Sequence, residues 1–164
     1  MSDTDSQIGF EQIGLGALLK GNQLVVPINQ RDYAWEEKEV TTLFKDLERS
    51  ISGGEGSYFL GTIVTIPKSG GLEVVDGQQR LATTAIFLSA IRDYVEPIVP
   101  LLAESINGEI LTRIDREILE RVPSLRLNLD DNDYFRARLT RTDPKPEPTK
   151  PSHRLLDDAF CRQK

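Results

Sequence analysis

Five consecutive residues with polar or catalytic capacity, Asp76 to Arg80, lie between two apolar segments of the sequence. The stretch reads DGQQR, and it supplies a carboxylate, a conformationally free glycine, two amides and a guanidinium. The preceding LEVV is typical of a strand. After Arg80, apolar residues follow at helical spacing. The pattern therefore predicts a strand-to-helix turn that carries the polar group.

Such a turn is suited to binding an anion. The first backbone N–H groups of a helix have no internal acceptor, and phosphate is their commonest ligand. Gly77 lets a ligand approach the backbone, and Arg80 offers a planar fork for phosphate oxygens. Gln78 and Gln79 can orient a phosphate, a base or an attacking water. Asp76 can hold a divalent cation, directly or through water, because hard cations take oxygen ligands.

A purely structural interpretation accounts for part of the same motif. Asp76 would form an Asx-turn, Gly77 would provide the bend, and Arg80 would pair with an acid such as Asp46. The presence of two glutamines and an arginine at a buried junction is harder to explain by turn chemistry. Both interpretations stay open at the level of the sequence.

A second polar cluster contains Gln30, Arg31, Tyr33 and Trp35, and it also follows a predicted strand. Ligands of α/β sheets collect where strand ends open onto such turns. We therefore expect Gln30 and Arg31 to face one pocket together with residues 76–80. Trp35 is expected to be mainly structural, since it precedes an amphipathic helix that it can anchor.

The first half of the chain predicts alternating helices and strands. A short helix closes at Gly21, and a strand follows at Gln23–Val26. Apolar residues with the spacing of one helical stripe begin after Glu36. Tyr58–Ile66 is apolar on both faces and is therefore expected as a central strand, with Leu72–Val75 as its hairpin partner.

The second half is predicted to be mainly helical. Residues 101–122 read as mostly helical, 124–129 as a strand, and the sequence from Asp130 as a capped helix start. The proline-rich segment 142–151 predicts an exposed loop. We therefore divide the chain into an α/β core, residues 1–96, and a mainly helical extension, residues 97–164. Residues 154–164 have apolar side chains at helical spacing but no terminating signal, so we expect the sequence to be the front of a longer protein.

Composition and charge limit the classes of function. No apolar run reaches the roughly 18 residues of a membrane span, and the N-terminus is polar and acidic rather than a signal peptide. With a single cysteine, a reducing cytoplasm is the expected location. The net charge of −6 argues against non-specific coating of nucleic acid.

The charge is nevertheless uneven along the chain. Residues 1–109 have 8 basic and 16 acidic side chains, whereas residues 110–164 have 12 and 10. Recurring arginines, among them Arg126, Arg136 and Arg138, could line a DNA surface. Solvated helix faces are the simpler explanation of the same pattern.

Several catalytic classes are disfavoured by residue types alone. His153 is the only histidine and Cys161 the only cysteine, so the chain cannot build a zinc site by itself and does not support a histidine-and-metal nuclease. The GxxxxGK[ST] pattern of P-loop NTPases is missing from the sequence. Sulfiredoxin chemistry is also disfavoured, because the motif turn has no cysteine.

Three segments together carry a family resemblance. VPINQRDYAW, YFLGTIVTI and EVVDGQQRLATTAIFL resemble, in the same order, the N-terminal domain of GmrSD-type modification-dependent restriction enzymes. That family includes the phosphorothioate-sensing protein SspE. LRLNLDDNDYFRARL and SHRLLDDAF look like later landmarks of the family, so the resemblance covers nearly the whole chain. One departure is Ala82, where the family often has threonine.

The resemblance implies a fold, an activity and partners. The fold would be a ParB/sulfiredoxin-like α/β domain, a small mixed sheet with flanking helices, followed by further helices. The activity would be binding and hydrolysis of a nucleoside triphosphate with Mg²⁺, coupled to sensing of modified DNA. Cutting would belong to a His-Asn-His-type nuclease domain, C-terminal or separate, that is not visible in this sequence.

The resemblance also implies roles for individual residues. Catalytic roles fall on Asp76, Gln78, Gln79 and Arg80, with Asp76 as the candidate Mg²⁺ ligand. Nucleotide binding falls on a set drawn from both clusters, namely Gln30, Arg31, Tyr33, Gly77 and Arg80.

Two other functions stay open beside the NTP-hydrolysing sensor. One is a DNA- or partner-binding module that has the same fold without turnover. The other is a toxin or nuclease with its chemistry in this domain, which ranks last because the necessary nucleophile, histidine and metal-carboxylate clusters are missing from the sequence. Phosphate release from GTP, CTP, UTP and ATP separates the first two.

Overall fold

The computed structural model describes residues 9–54, 56–115, 117–141 and 143–161. Within these ranges the chain forms six α-helices and one π-helical segment, Ile106–Leu111. The α-helices are α1 (Leu15–Gly21), α2 (Glu37–Ser52), α3 (Gln78–Val95), α4 (Pro100–Ser105), α5 (Leu129–Leu139) and α6 (Pro151–Cys161). The strands are β1 (Leu24–Val25), β2 (Val64–Lys68), β3 (Gly71–Asp76), β4 (Thr112–Ile114), β5 (Arg121–Pro123) and β6 (Leu125–Arg126).

The main sheet is small and mixed, with the strand order β2-β3-β1-β6. β1 pairs in parallel with β3 and with β6, so that Leu24 lies opposite Leu72 on one side and Leu125 on the other. β2 and β3 form an antiparallel hairpin, and β4 with β5 makes a separate two-stranded sheet. The predicted class, a mixed α/β fold with a small mixed sheet and flanking helices, is confirmed.

The expectation of a central strand at Tyr58–Ile66 is wrong. The strand begins only at Val64 and lies at the edge of the sheet, while β3 takes the interior position. Phe59 is 80% exposed, so its apolar character does not reflect burial. Pro67, which lacks an N–H donor, is the signal for an edge strand within this sequence.

The mostly helical assignment of residues 101–122 is correct only as far as Leu111. The chain then extends into β4 and β5, which pair through Thr112 opposite Pro123. β-Branched residues at this point favour extended backbone. The pairing with a strand further along the chain selects that conformation over the helix, because tertiary contacts override weak local propensity.

The remaining elements follow the sequence closely. The hairpin that leads to Asp76 and the buried helix after it are present as β2–β3 and α3. A strand lies within 124–129, and α5 begins with a side-chain cap from Asn128. Residues 143–150 form no helix or strand, and Thr142 lies outside the described residues.

Both halves of the chain contribute to one hydrophobic cluster. Leu24, Val74 and Ile86 come from the first half, while Phe135 and Leu156 come from α5 and α6, and all are almost completely buried. β6 also extends the main sheet from the far side of residue 97. The division at 96/97 stays a prediction, but the core and the sheet both cross it.

Among the described residues, no helix combines the length and the apolar character needed to cross a lipid bilayer.

The α2 helix begins with a capping box in which the Glu36 and Glu39 side chains accept from each other's backbone N–H groups. Val40 and Leu43 are buried along its inner stripe, whereas Ile51 at the end is 74% exposed. Trp35 precedes this helix and packs, half-buried, against the main hydrophobic cluster. This position is the anchoring one that the sequence predicts.

Replacing Trp35 by alanine should therefore lower the free energy of unfolding. We expect Trp35→Ala to cost about 2–3 kcal/mol, below the usual range for buried large aromatics because the ring is only half-buried. Phe59→Ala is the matched control, since the Phe59 ring is exposed, and should cost less than about 0.5 kcal/mol. Urea denaturation curves measure both. Equal midpoints for Trp35→Ala and the wild type would contradict the anchoring role.

Candidate functional site

The turn between β3 and α3 is built around Gly77. β3 ends at Asp76 and α3 begins at Gln78, so the motif forms the turn and the first helical residues. Gly77 has a φ of 94°, in the left-handed region. A Cβ at this position would lie 2.4 Å from the Ile63 Cδ1 atom. The left-handed backbone favours glycine, and the Ile63 side chain and the nearby backbone of residues 62–63 would have to shift for a Cβ.

The Gln79 side chain binds the backbone of the loop that follows β1. Its Oε1 atom accepts from the N–H groups of Ala34, at 2.8 Å, and Trp35, at 3.3 Å. Its Nε2 atom donates to the Asp32 carbonyl at 3.2 Å. Gln79 is 6% exposed, so these bonds satisfy backbone groups that water reaches poorly. One amide thus fixes the loop over residues 32–35.

Gln78 makes one bond to the same loop and leaves one atom unsatisfied. Its Nε2 atom donates to the Arg31 carbonyl at 2.9 Å. Since a carbonyl accepts only, this bond fixes which end of the amide is which. The Gln78 Oε1 atom is then a buried acceptor without a partner among the described residues. Such an atom is uncommon in a folded protein and indicates a place for a donor.

Tyr33 connects the loop to the next turn of α3. Its hydroxyl lies 2.8 Å from Thr83 Oγ1, and Thr83 Oγ1 donates to the Gln79 carbonyl. Because the threonine has one hydroxyl proton, Tyr33 is the donor to Thr83. The pKa of Tyr33 is raised to about 12, chiefly because burial disfavours the charged phenolate.

A second loop residue contacts the strand side of the turn. The Gln30 Nε2 atom donates to the Val75 carbonyl at 3.1 Å. Residues 30–35 and 75–83 are therefore joined by side-chain hydrogen bonds across more than 40 positions of sequence. The two polar clusters that the sequence singled out lie together.

A small cleft opens between the loop and the start of α3. Its volume is about 10 Å³, enough for about one water molecule. Its lining residues come from both halves of the chain: Val26, Arg31, Tyr33, Gln78, Gln79, Ala82, Leu127, Asn128 and Asp131. Arg31 is exposed, whereas both glutamines are buried. The lining thus combines an exposed arginine, a buried carboxylate and a glutamine with an unsatisfied acceptor.

The other predicted site residues do not line this cleft. Asp76 is exposed at the end of β3. Arg80 points toward the loop before β2, where its Nη1 atom donates to the Thr62 carbonyl at 3.2 Å. The guanidinium packs closely on Gly61, where an added Cβ would lie 3.0 Å from Arg80 Cζ. The predicted common pocket includes Arg31 with Gln78 and Gln79, but Arg80 faces elsewhere.

The structural alternative for Arg80 also needs correction. The carboxylate that the sequence offered as its partner, Asp46, instead lies 3.6 Å from Arg49 on the same helix. Arg80 is held by the Thr62 backbone carbonyl.

Two residues of the cleft, Asn128 and Asp131, were missed by the sequence reasoning. The Asn128 Oδ1 atom caps α5 by accepting from the Asp131 N–H, and its Nδ2 atom donates to the Gln30 carbonyl and to Asp32 Oδ1. Asp131, 1% exposed, accepts from the Tyr33 N–H at 2.6 Å. The sequence predicts a capped helix start at Asp130, but not the cap at Asn128 or its second bond to a loop 98 residues away.

The candidate DNA-contacting arginines differ in exposure and in their contacts within the fold. Arg126 and Arg136 are exposed. Arg138 forms an ion pair with Asp157, with 2.9 Å between Nε and Oδ1, and its guanidinium lies over the Phe160 ring. Arg138 therefore stabilises the contact between α5 and α6, and the other two are better placed for a partner.

A resident metal site is not formed by the described residues alone, among which no group of three or more His, Cys, Asp or Glu side chains converges. Mg²⁺ in nucleotide sites often takes only one or two carboxylates and completes its shell with phosphate and water. The single exposed carboxylate of Asp76 fits that limited requirement.

Fold and site thus define the class of protein, which is a mixed α/β domain with a polar junction at the start of a buried helix. The family model described as the GmrSD restriction endonuclease N-terminal domain matches residues 15–161. The chain belongs to this family, and its place is in a restriction system. The recognition drawn from the sequence motifs is confirmed. No curated protein matches the sequence.

The turn predicts a specific cost for a side chain at Gly77. Gly77→Ala should lower the free energy of unfolding by about 2–4 kcal/mol, through the left-handed φ and the clash with Ile63. Gly70→Ala is the control, because Gly70 has a φ of 86° but an added Cβ would meet no atom within 4 Å. It should cost about 1–2 kcal/mol. Chemical denaturation compares the two, and equal costs would contradict the clash.

Proposed function

We propose that this domain binds a nucleoside triphosphate at the cleft and hydrolyses it as a sensor or regulatory domain of a DNA restriction protein. The observation that carries the proposal is the unpartnered, buried Oε1 atom of Gln78, a residue that lines the same cleft as the exposed Arg31. The Arg31 guanidinium is suited to phosphate oxygens, and a buried acceptor needs a donor such as water. Family membership supports the same proposal.

The size of the cleft decides how a nucleotide would bind. A volume of about 10 Å³ holds one water and excludes a nucleotide. The phosphates would therefore lie across the exposed mouth, near Arg31 and the first N–H groups of α3. One water inside the cleft could donate to Gln78 Oε1, which would orient it toward the terminal phosphate.

Asp76 and Arg80 would act from the outer side of the turn. Asp76 would be the carboxylate ligand of the Mg²⁺ that accompanies the nucleotide and neutralises phosphate charge. The Arg80 guanidinium has five N–H donors, and its bond to the Thr62 carbonyl leaves others for a phosphate that reaches past Gly77. Gln79 would serve by holding the loop.

A second candidate, a DNA- or partner-binding module without turnover, also has an observation in its favour. Gln79 is fully engaged with loop backbone, and Gln78 is engaged at one end. Much of the motif's polarity is thus explained by folding alone. Phosphate release from GTP, CTP, UTP and ATP with Mg²⁺, with and without DNA, separates the two functions.

Substitutions of three polar residues should fail in different ways. Arg31→Ala should weaken nucleotide binding roughly ten- to a hundredfold through loss of a charge-assisted contact. Arg80→Ala should weaken it less, because Arg80 lies outside the cleft. Asp76→Asn should leave binding nearly intact and lower kcat, as expected for an interaction used in the transition state.

Isothermal titration measures binding in these variants and phosphate release measures turnover. Arg49→Ala is the matched control, since Arg49 is an exposed arginine distant in sequence from both clusters. A larger loss for Arg80→Ala than for Arg31→Ala would identify Arg80 as the phosphate ligand. Wild-type turnover in Asp76→Asn, or no nucleotide bound by the wild type, would overturn the proposed function.

DNA binding by this domain would use its arginine-rich second half. Charge reversal at the exposed Arg126 and Arg136 should weaken binding and flatten its dependence on salt, because fewer counterions are released. Arg49→Glu, in the acidic first half, should change neither by a comparable amount. Fluorescence anisotropy with labelled duplex at several salt concentrations gives both quantities. An unchanged salt slope would count against this surface.

A further inference from the structure

The loop that carries Arg31 is held from two sides. On one side are Gln78 and Gln79 of α3, which bind the backbone of residues 31–35. On the other side is the first turn of α5, almost 100 residues further along the chain. The first side belongs to the motif already described. The second side consists of residues to which no role in the site has been assigned.

Asn128 makes bonds in two directions with one amide. Its Oδ1 atom accepts from the Asp131 N–H at 3.1 Å and caps α5. Its Nδ2 atom donates to Asp32 Oδ1 at 2.7 Å and to the Gln30 carbonyl at 3.2 Å. These bonds flank Arg31 on both sides in sequence. The side chain is 4% exposed, so water does not readily replace them.

Asp131 continues the same connection to α6. Its Oδ2 atom accepts from the Tyr33 N–H, and its Oδ1 atom accepts from Ser152 Oγ, both at 2.6 Å. The His153 Nε2 atom lies 3.8 Å from Oδ1. A carboxylate that is 1% exposed needs such donors to offset its desolvation. The loop backbone, α5 and α6 are thus joined through one side chain.

We propose that Asn128 and Asp131 are positioning residues of the nucleotide site, and that they hold the Gln30–Tyr33 loop so that Arg31 keeps its place in the lining of the cleft. This inference rests on the proposed function for its catalytic consequence. It makes the second half of the chain a required part of the site. The helix that binds the loop, α5, also carries the exposed Arg136, so a DNA contact at Arg136 would be made on the same helix.

The informative substitution removes the loop bonds without removing the helix cap. Serine caps helices about as well as asparagine, so Asn128→Ser should keep α5 and lose both bonds from Nδ2. Asn128→Asp, a second variant, keeps both size and cap but places a carboxylate oxygen against Asp32. Asn132→Ser is the matched control, because Asn132 lies on the same helix and its side chain accepts from the Leu127 N–H rather than binding the loop.

Two readouts distinguish positioning from general stability. Hydrogen exchange of the Tyr33, Ala34 and Trp35 amides should be about tenfold faster in Asn128→Ser, roughly the effect of one net hydrogen bond. With the one of GTP, CTP, UTP or ATP that the wild type turns over, KM should rise about tenfold while kcat stays within about twofold. Partial unfolding would instead lower kcat at constant KM, because it reduces the active fraction.

Each outcome decides a separate claim. Faster exchange with a raised KM in both Asn128 variants, and neither change in Asn132→Ser, would support the proposal. Unchanged exchange at residues 33–35 would overturn it whatever the kinetics. Faster exchange with an unchanged KM would also overturn it, since the loop would then be irrelevant to binding. A wild type that turns over no nucleotide would refute the proposed function and this catalytic link together, and exchange alone would decide whether Asn128 holds the loop.

Discussion

The shape of the site depends first on the buried amide of Gln79. Its two ends satisfy two N–H groups and one carbonyl of the loop after β1, and all three would otherwise lie at a poorly hydrated junction. Leaving such a group unpaired costs about 1–3 kcal/mol, so the loop has one strongly preferred conformation. That conformation directs Tyr33 inward to Thr83 and leaves Arg31 exposed at the cleft.

The same loop also ties the two halves of the chain together. Asn128 and Asp131 bind it from α5, while β6 adds a parallel strand beside β1, from which the loop emerges. Residues from both halves also pack into one hydrophobic cluster, which stabilises this arrangement. The site is therefore a product of the whole described fold, although its most distinctive residues occupy five positions of sequence.

Periodicity and turn residues predicted most of the fold. α2, α3, the β2–β3 hairpin and α5 all lie where spacing, glycines and caps indicated, because these signals are local. Apolar content gave a wrong prediction for Tyr58–Ile66, because these residues lead into an edge strand and Phe59 among them is exposed. It also misled in 101–122, where β4 is a strand because it pairs with β5 further along the chain. Edge position and strand pairing depend on distant segments, which no local window includes.

The sequence by itself determined that two polar clusters follow strands, that one occupies a strand-to-helix turn, and that the chain belongs to the GmrSD N-terminal family. Only the tertiary structure decided which polar atoms are consumed by folding and which remain for a ligand. Successive helical residues are rotated by about 100°, so Gln78 and Gln79 face the loop while Arg80 faces Thr62. The sequence could not show that Arg31 is exposed or that one oxygen of Gln78 is unsatisfied, because the hydrogen-bond partners of their neighbours lie far away in sequence.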